Sequence, residues 1–227
     1  MCGRFSLTAD EKQINLFFEL SGGNAPYVPR YNGAPTQLLP VITSEEPRKL
    51  QLFRWGLIPK WSKEMPKTPL INARSETIDQ KPSFKAGFRE KRCLVPADGF
   101  YEWVHSGRKL PYRFTLKDES LFAFAGIWDH WQNSSGQLIN SFTIITTDAN
   151  QIMKPIHDRM PVILRKSDFN FWLQGNDDVN LKKMLIPYPS SEMKRYRVPE
   201  TVNKASAEGP ELIAACEPME FFDGDLL

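Results

Sequence analysis

The first four residues, Met1-Cys2-Gly3-Arg4, place a cysteine directly after the initiator methionine. An initiator methionine is commonly removed when the next residue is small, and its removal here would give Cys2 a free α-amine beside its thiol. Such a 1,2-aminothiol reacts with aldehydes in two steps, because the amine forms a Schiff base and the thiol then closes a five-membered thiazolidine ring. The closure is intramolecular, so the thiol acts at a high effective concentration. The N-terminus therefore predicts aldehyde capture, with an incidental cysteine at a frayed terminus as the alternative.

Three internal segments carry side chains that suit binding and proton transfer. Asn72 and Arg74 are two residues apart, so an extended segment places them on one face, where an amide can position a group and a guanidinium can bind phosphate. Glu102 lies among three aromatic residues, which raise the pKa of a carboxyl group and suit it to proton transfer. His157 titrates near neutrality and precedes a carboxylate and a cation. Structural alternatives remain open: a turn asparagine, a surface ion pair between Arg74 and Glu76, and an edge-exposed Glu102.

The composition of the 227 residues excludes several classes of protein. Hydrophobic residues make up 41% and charged residues 25%, which is unlike a disordered, collagenous or repeat sequence. No apolar run approaches the roughly 20 residues that cross a bilayer, and the first ten residues contain no signal core. Three widely separated cysteines and three histidines support neither a disulfide framework nor a metal site. We expect a cytoplasmic, monomeric protein with no membrane segment, metal or cofactor.

Charge is distributed unevenly along the chain. The total of 29 basic and 27 acidic residues gives a net charge of only +2. Residues 48–113 nevertheless contain 15 Lys and Arg against 6 Asp and Glu, whereas residues 205–227 contain six acids and no Lys or Arg. A basic segment can focus an electric field on a polyanion, but it can equally be a solvated face that the acidic tail balances. Charge alone therefore leaves a nucleic-acid partner open.

Hydrophobic periodicity predicts a helix near the N-terminus and a middle rich in strands. Thr8 and Glu11 have capping-box spacing and precede an apolar stripe at helical spacing, which predicts a helix over residues 8–20. Strands are predicted at residues 38–43, 50–53, 93–96, 99–104, 112–116, 121–127, 141–146 and 162–164. The core of the protein should therefore be a sheet.

Connections between these segments indicate how the strands are arranged. Residues 105–108 and 132–136 have the composition of hairpin connections, so neighbouring strands should pair antiparallel. Two further helices are predicted over residues 167–173 and 177–186. The expected architecture is a single domain spanning residues 1–227. It is an α+β fold with a mainly antiparallel curved sheet, or open β-barrel-like core, flanked by helices.

Seven ordered segments together resemble the SRAP family, whose members form covalent crosslinks with abasic sites in DNA. They are Met1–Arg4, Tyr31-Asn32 with Ala34-Pro35, WGLIPKW at 55–61, NARSET at 72–77, Glu102-Trp103, Thr146-Thr147 and HDRMP at 157–161. The resemblance spans nearly the whole chain. One block, residues 202–209, lacks the basic residue that members usually carry two positions beyond Asn203, which puts a DNA-backbone contact there in doubt unless Lys204 substitutes.

The resemblance implies an abasic-site-processing enzyme that acts on single-stranded DNA. In the family, the processed N-terminal cysteine forms a thiazolidine crosslink with the ring-opened sugar and shields the lesion. AP lyase activity and self-removal of the initiator methionine are the accompanying activities it implies. By position, Cys2 is the nucleophile, Asn72 holds the reacting terminus and the sugar, Glu102 is the general acid and base, and His157 assists ring opening. The protein would be cytoplasmic, and nucleoid-associated when bound to DNA.

The resemblance also implies a set of DNA-binding residues. They are Arg4, Trp61, Arg74, Trp103, Thr146 and Arg159. The arginines would bind phosphates, so the affinity would be independent of base and sensitive to salt. Trp61 and Trp103 would stack on neighbouring bases for about 1 to 3 kcal/mol each. Trp55, by contrast, is expected in the core, and Cys93 and Cys216 are expected to be buried and inert.

Two other functions remain as alternatives to abasic-site capture. The first is an N-terminal-nucleophile cysteine peptidase or hydrolase, in which the Cys2 thiol attacks an amide with Glu102 or His157 as its base. The second is a single-strand binding module whose Cys2 is inert. That module would bind DNA without regard to an abasic lesion.

Overall fold

A computed structural model describes residues 2–106 and 108–216, which form two β-sheets with short helices packed around them. In chain order the strands are β1 (Phe5–Leu7), β2 (Arg30–Gly33), β3 (Leu38–Thr43), β4 (Gln51–Trp55), β5 (Asn72–Arg74), β6 (Arg92–Ala97), β7 (Gly99–Ser106), β8 (Arg108–Leu116), β9 (Phe122–Gln132), β10 (Leu138–Asp148), β11 (Arg159–Pro161), β12 (Ile163–Leu164) and β13 (Met193–Arg197). The helices are α1 (Glu11–Phe18), α2 (Pro82–Glu90), α3 (Phe169–Gln174) and α4 (Asp178–Lys183). The expectations about Met1 and the tail beyond residue 216 lie outside the described residues.

The larger sheet closes into a five-stranded barrel. Its strands follow the order β4, β3, β6, β9 and β10, and β10 pairs again with β4, where Ser141 lies opposite Arg54. The strands β5, β11 and β12 extend this sheet. Most pairs are antiparallel, but β10 pairs in parallel with both β4 and β5. The α+β fold and the mainly antiparallel sheet are therefore confirmed, and the barrel is closed because β10 bridges β4 and β9.

The smaller sheet, in the order β13, β8, β7, β1 and β2, packs one face against the barrel. Phe100 of β7 contacts Phe124 of the barrel with ring centroids 5.9 Å apart. On the opposite face, Trp103 packs in a cluster with Val202 from the C-terminal segment. Side chains alternate between the two faces along a strand. Glu102 therefore lies on the Phe100 side of β7 and faces the barrel, whereas Trp103 faces the C-terminal segment.

The first helix begins later than the sequence pattern indicated. Asp10 is the N-cap, and its side chain and that of Gln13 form the capping box. Thr8 does not cap the helix, because its hydroxyl donates to Asp98 at 2.7 Å. The helix ends at Phe18, and its C-cap Glu19 has a φ of 56°, in the left-handed region. The predicted helix over residues 8–20 is thus real, but it is three residues shorter at its N-terminal end and two residues shorter at its C-terminal end.

The other predicted elements are present, and several short ones went unpredicted. The strand over residues 38–43 has the predicted bounds, and the hairpin at 132–136 joins β9 to β10 in an antiparallel pair. The helix α2 was not predicted, although Phe84 and Phe88 are buried at a spacing of four residues after an initial proline. Strands of three residues, such as β1 and β5, are too short to show a periodicity. No helix among the described residues has the length and apolar character needed to cross a membrane.

Candidate active site

Three of the four predicted catalytic residues converge where the two sheets meet. Cys2 precedes β1, Asn72 opens β5 and Glu102 lies in β7. The Asn72 side-chain amide donates to the Cys2 carbonyl oxygen at 2.9 Å. The strand β1 pairs with β7, and the Tyr101 N–H donates to the Arg4 carbonyl oxygen at 3.0 Å, which brings Cys2 near Glu102. Residues far apart in the sequence are therefore held together by backbone pairing.

The Cys2 thiol is fully buried, with no exposed surface. Burial raises the pKa of this thiol far above its ordinary value, and the negative charge of Glu102 raises the pKa further. The sulfur lies 3.8 Å from the Arg4 carbonyl oxygen, which accepts a weak S–H hydrogen bond. Since a thiolate is the nucleophilic form, Cys2 needs a base to remove its proton during a reaction.

The Glu102 carboxyl group can serve as that base. It is only 4% exposed, and burial raises the pKa of Glu102, with a further contribution from the Asp158 carboxylate. A carboxyl group with a raised pKa can both accept and release a proton nearer to neutral pH. Its influence on the pKa of Cys2 shows that the two groups are electrostatically coupled.

The turn before β11 contains the fourth predicted residue, His157. Burial lowers the pKa of His157, and the neighbouring Asp158 carboxylate opposes this effect. The Nδ1 atom lies 2.9 Å from the Arg159 backbone nitrogen and 2.8 Å from the Asp158 Oδ1 atom. A backbone N–H can only donate, so Nδ1 accepts in the neutral ring and the proton resides on Nε2; in the protonated ring Nδ1–H donates to Asp158. The effect of Asp158 on the pKa of Glu102 places this turn on the Glu102 side of the site.

Arg74 and Arg159 have opposite environments, although both were predicted to bind phosphate. Arg74 is exposed, and no carboxylate in the described part of the chain pairs with it. Arg159 is 8% exposed, donates to Glu76 and lies 2.9 Å from Asp148. Two carboxylates compensate the charge of Arg159 in this structure, and its expected contact with a phosphate stays a prediction. The alternative of an ion pair between Arg74 and Glu76 is also wrong, because Glu76 pairs with Arg159.

Thr146 likewise has a structural position. It is buried within β10 opposite Pro161, and its carbonyl oxygen accepts a hydrogen bond from Arg159 at 2.7 Å. The DNA contact expected of Thr146 stays a prediction. The hydrogen bond between Arg159 and the Thr146 carbonyl oxygen fixes the start of β11, and therefore the turn that carries His157.

The three tryptophans singled out from the sequence differ in exposure. Trp55 is buried and donates to the Ile71 carbonyl oxygen at 2.9 Å, which confirms its expected place in the core. Trp61 is 64% exposed and available for stacking. Trp103 is 8% exposed, and its expected stacking on a base stays a prediction. Its ring is covered by the guanidinium of Arg4 and the ammonium of Lys109, at 5.7 Å and 5.0 Å from the ring centroid.

The comparisons with known proteins agree with this geometry. A family model described as SOS response associated peptidase (SRAP) matches residues 1–205. The chain belongs to the SRAP family. Among curated relatives of this SRAP chain, the abasic site processing protein YoqW of Bacillus subtilis (strain 168) is 42% identical over 94% of this chain and 99% of its own. The abasic site processing protein HMCES of Xenopus tropicalis is 30% identical over 95% of this chain and 78% of its own.

Solved structures share the fold of this SRAP chain. A crystal structure of a protein from Bacteroides thetaiotaomicron has a TM-score of 0.88 and 30% identity, and the match covers 95% of this chain and all of the other. A protein from Bordetella bronchiseptica has a TM-score of 0.78 and 28% identity, over 87% of this chain. Within the described residues of the SRAP chain, no three His, Cys, Asp or Glu side chains are grouped to hold a metal ion.

Sequence reasoning gave no role to Asn32, which is buried and connects β2 to the C-terminal segment. Its side-chain oxygen accepts from Arg4 at 2.7 Å, and its amide donates to the Lys204 carbonyl oxygen at 2.9 Å. Arg4 also donates to the Val202 carbonyl oxygen at 2.9 Å. The only available signal was the place of Asn32 in a Tyr-Asn pair, because Arg4 is 28 residues away in the sequence and the C-terminal partners are 170 or more residues away. Lys204 is thus tied to the SRAP site through its backbone.

Proposed function

We propose that this SRAP chain recognises abasic sites in single-stranded DNA and captures them covalently through Cys2 once Met1 has been removed. The hydrogen bond by which Asn72 holds the Cys2 carbonyl, next to the buried Glu102, is the observation that carries this proposal. An aldehyde at this position would meet an amine, a thiol and a proton acceptor together. The printed names of the relatives, abasic site processing proteins, support the same substrate.

The proposed chemistry joins the aldehyde carbon of the ring-opened sugar to both the nitrogen and the sulfur of Cys2. The α-amine attacks the aldehyde carbon, and the resulting carbinolamine loses water to form a C=N bond. The sulfur then adds to the same carbon while the thiol proton passes to the nitrogen, which closes the thiazolidine ring. The amine acts first because burial keeps the thiol protonated until a base is available.

The surrounding side chains have separate parts in this proposal. Asn72 orients the terminus, and its Oδ1 atom is buried without a donor among the described residues, which leaves it free to accept from the sugar or the amine. Glu102 removes the thiol proton and returns it to the nitrogen. His157, with its proton on Nε2, donates to the ring oxygen of the sugar and so favours the open aldehyde. Each of these steps needs only a proton shift over a short distance.

Recognition of the lesion follows from what an abasic nucleotide lacks. There is no base to read, so the affinity arises from the backbone and from stacking of neighbouring bases. The exposed Arg74 supplies a phosphate contact, and Trp61 supplies a stacking surface. Binding should therefore be independent of sequence and weaken as salt is raised. We expect the protein to act as a monomer in the cytoplasm, bound to the nucleoid when it meets damaged DNA.

The same imine accounts for a proposed AP lyase activity. Before the ring closes, the C=N bond acidifies the adjacent sugar carbon, and loss of a proton there expels the 3′ phosphate and breaks the strand. A variant that forms the imine but cannot close the ring, Cys2→Ser, should therefore shift the product from a stable crosslink towards strand cleavage.

A denaturing gel tests the central proposal. The processed protein is incubated with a single-stranded oligonucleotide that contains one abasic site, and a covalent adduct is scored by its slower migration. We expect an adduct with the wild type and none with Cys2→Ala. No adduct from the wild type, or an equal adduct from Cys2→Ala, overturns the proposal, and equal non-covalent affinity for damaged and undamaged strands would favour a binding module with an inert Cys2.

The family description as a peptidase supports a second activity on the chain's own first residue. In this activity the Cys2 thiol, with Glu102 or His157 as its base, would promote hydrolysis of the Met1–Cys2 bond. Intact-mass measurement after purification tests it. We expect Met1 to be retained to a greater extent in Glu102→Gln or in His157→Ala than in the wild type, whereas equal loss in all three would assign its removal to another enzyme. Turnover of added peptides would instead indicate a general N-terminal-nucleophile hydrolase.

A further inference from the structure

The turn between β10 and β11 places a carboxylate against a ring nitrogen of His157. The Asp158 Oδ1 atom lies 2.8 Å from the His157 Nδ1 atom, although the Asp158 side chain is 86% exposed. Backbone hydrogen bonds fix both residues, because the His157 N–H donates to the Met153 carbonyl oxygen at 3.0 Å and the Asp158 carbonyl oxygen accepts from the Ala149 N–H at 2.9 Å. The backbone of the turn therefore holds the carboxylate at the ring.

Two groups with opposite requirements compete for the His157 Nδ1 atom. The Arg159 backbone N–H, at 2.9 Å, can only donate, so it favours Nδ1 without a proton. The ionised Asp158 carboxylate can only accept, so it favours Nδ1 with a proton. If the Arg159 N–H acted alone, the neutral ring would keep its single proton on Nε2. With Asp158 present, Nδ1 can carry a proton, and Nε2 can then release one.

The charges around His157 make this help from Asp158 necessary. Burial lowers the pKa of His157 and the charge of Arg159 lowers it as well, whereas Asp158 raises it. Arg159 is itself paired with two carboxylates of neighbouring elements. Across the site, Asp158 also acts on Glu102 of β7, whose pKa it raises. Asp158 is thus the group that favours the protonated imidazole against its surroundings.

We propose that Asp158 is a positioning residue of the capture reaction, which holds the Nδ1 proton of His157 while Nε2 gives its proton to the ring oxygen of the abasic sugar. This inference rests on the proposed function, because it concerns the acid that opens the sugar. The C1′–O4′ bond breaks, O4′ takes the proton from Nε2, the anomeric hydroxyl releases its proton to water, and C1′ becomes the aldehyde carbon. The neutral ring then regains a proton from water. Asp158 acts only through His157, so an aldehyde that is already open should not need it.

Single-turnover crosslinking of two oligonucleotides at saturating protein tests this role. One contains an abasic deoxyribose, whose ring must open, and the other carries an acyclic aldehyde that lacks O4′ and cannot close. We expect Asp158→Asn to slow crosslinking of the first by about tenfold, a part of the roughly 100-fold that general acid catalysis contributes, and to leave the second unchanged. Asp148→Asn is the matched control, because Asp148 is a carboxylate of similar exposure, 80%, that pairs with Arg159 on the same turn. It should crosslink both oligonucleotides at the wild-type rate.

Titration of the imidazole signals by NMR gives a second readout, which does not depend on crosslinking. The pH midpoint of His157, assigned by comparison with His157→Gln, should be lower in Asp158→Asn than in the wild type and unchanged in Asp148→Asn. In the His157→Gln background, Asp158→Asn should have no further effect on the rate, because the two residues act as one unit.

The outcomes separate this inference from the proposed function. A wild type that crosslinks abasic DNA no faster than Asp158→Asn overturns the role of Asp158 alone, and so does an equal slowing of both oligonucleotides or an equal effect of Asp148→Asn. A wild type that forms no adduct with either oligonucleotide overturns the capture chemistry, and the His157 midpoint then decides whether Asp158 holds the Nδ1 proton. Thermal unfolding of each variant confirms that it is folded.

Discussion

Cys2 and Cys93 are both completely buried, and burial raises the pKa of both thiols, yet their surroundings differ. Cys93 lies in the barrel wall opposite Gly126, where an added Cβ would come within 2.8 Å of its sulfur, and burial alone accounts for its raised pKa. Cys2 is joined by the Asn72 amide and is electrostatically coupled to Glu102. The proposed chemistry therefore requires a buried thiol that lies beside a proton acceptor, and of these two thiols Cys2 has such a neighbour in Glu102.

The largest expected effect comes from removing the Cys2 thiol, and removal of the Cys93 thiol is its control. Cys2→Ala should abolish the crosslink to abasic DNA, because the thiazolidine ring cannot close without the Cys2 sulfur. Cys93→Ala should crosslink at the wild-type rate and be less stable by about 1 kcal/mol, since it leaves a small cavity. Gel quantification and thermal unfolding measure the two effects. Loss of crosslinking in Cys93→Ala, in a protein that remains folded, would contradict the contrast between the thiols.

The next largest effect is expected at the proton acceptor. Glu102→Gln keeps the shape of the side chain but cannot accept a proton, so the rate of crosslinking should fall by about 100-fold. The wild-type rate should rise with pH through the raised pKa of Glu102, and that rise should be absent in the variant. Single-turnover gels over a range of pH measure this. A wild-type profile unchanged by Glu102→Gln would assign the proton transfer to another group.

Glu102 should also reduce stability where it is ionised. Its folded pKa is raised, so the stabilisation of the protonated form is complete below the unfolded pKa of about 4.3 and is lost as pH rises through the folded value. Glu102→Gln should therefore unfold at a higher temperature than the wild type at pH 8, by about 2 to 4 °C for each kcal/mol, and the difference should shrink towards pH 4. Thermal melts at several pH values measure it. A variant that is less stable than the wild type at pH 8 would show that the charged form is favoured in the fold.

A smaller effect is expected from the Asn72 amide. Asn72→Ala removes the hydrogen bond to the Cys2 carbonyl, and a single such bond contributes about 1 kcal/mol, so crosslinking should slow by about tenfold or less. The affinity for undamaged DNA should be unchanged, because the amide orients the nucleophile and does not bind phosphate. Single-turnover rates and binding curves separate the two. An unchanged rate would mean that the terminus is positioned without this bond.

The sequence allowed candidate catalytic residues to be named, but it could not show which charged and aromatic side chains are free of protein contacts. The proposed capture chemistry depends on the residue types at Cys2, Asn72 and Glu102, and residue types can be read directly from the sequence. Whether Arg159 is available depends on Glu76, which is 83 residues away and meets it only because β10 pairs with both β5 and β11. Trp103 is covered for the same reason, by a residue from β8. Strand topology decides such contacts, and local patterns do not encode it.

The smallest effect should arise where DNA is delivered to Cys2, and it distinguishes two arginines that look equivalent in sequence. Arg74→Gln should reduce the magnitude of the salt slope for single strands by about 0.7 and leave the fold intact, because its guanidinium is exposed. Arg159→Gln should leave the slope unchanged and lower the thermal stability, since it breaks the contacts with Glu76 and Asp148. The same binding and unfolding measurements serve both variants. Equal slopes for the two would mean that Arg159 leaves its carboxylates when DNA binds, and the contrast between an available and a compensated guanidinium would then hold only for the free protein.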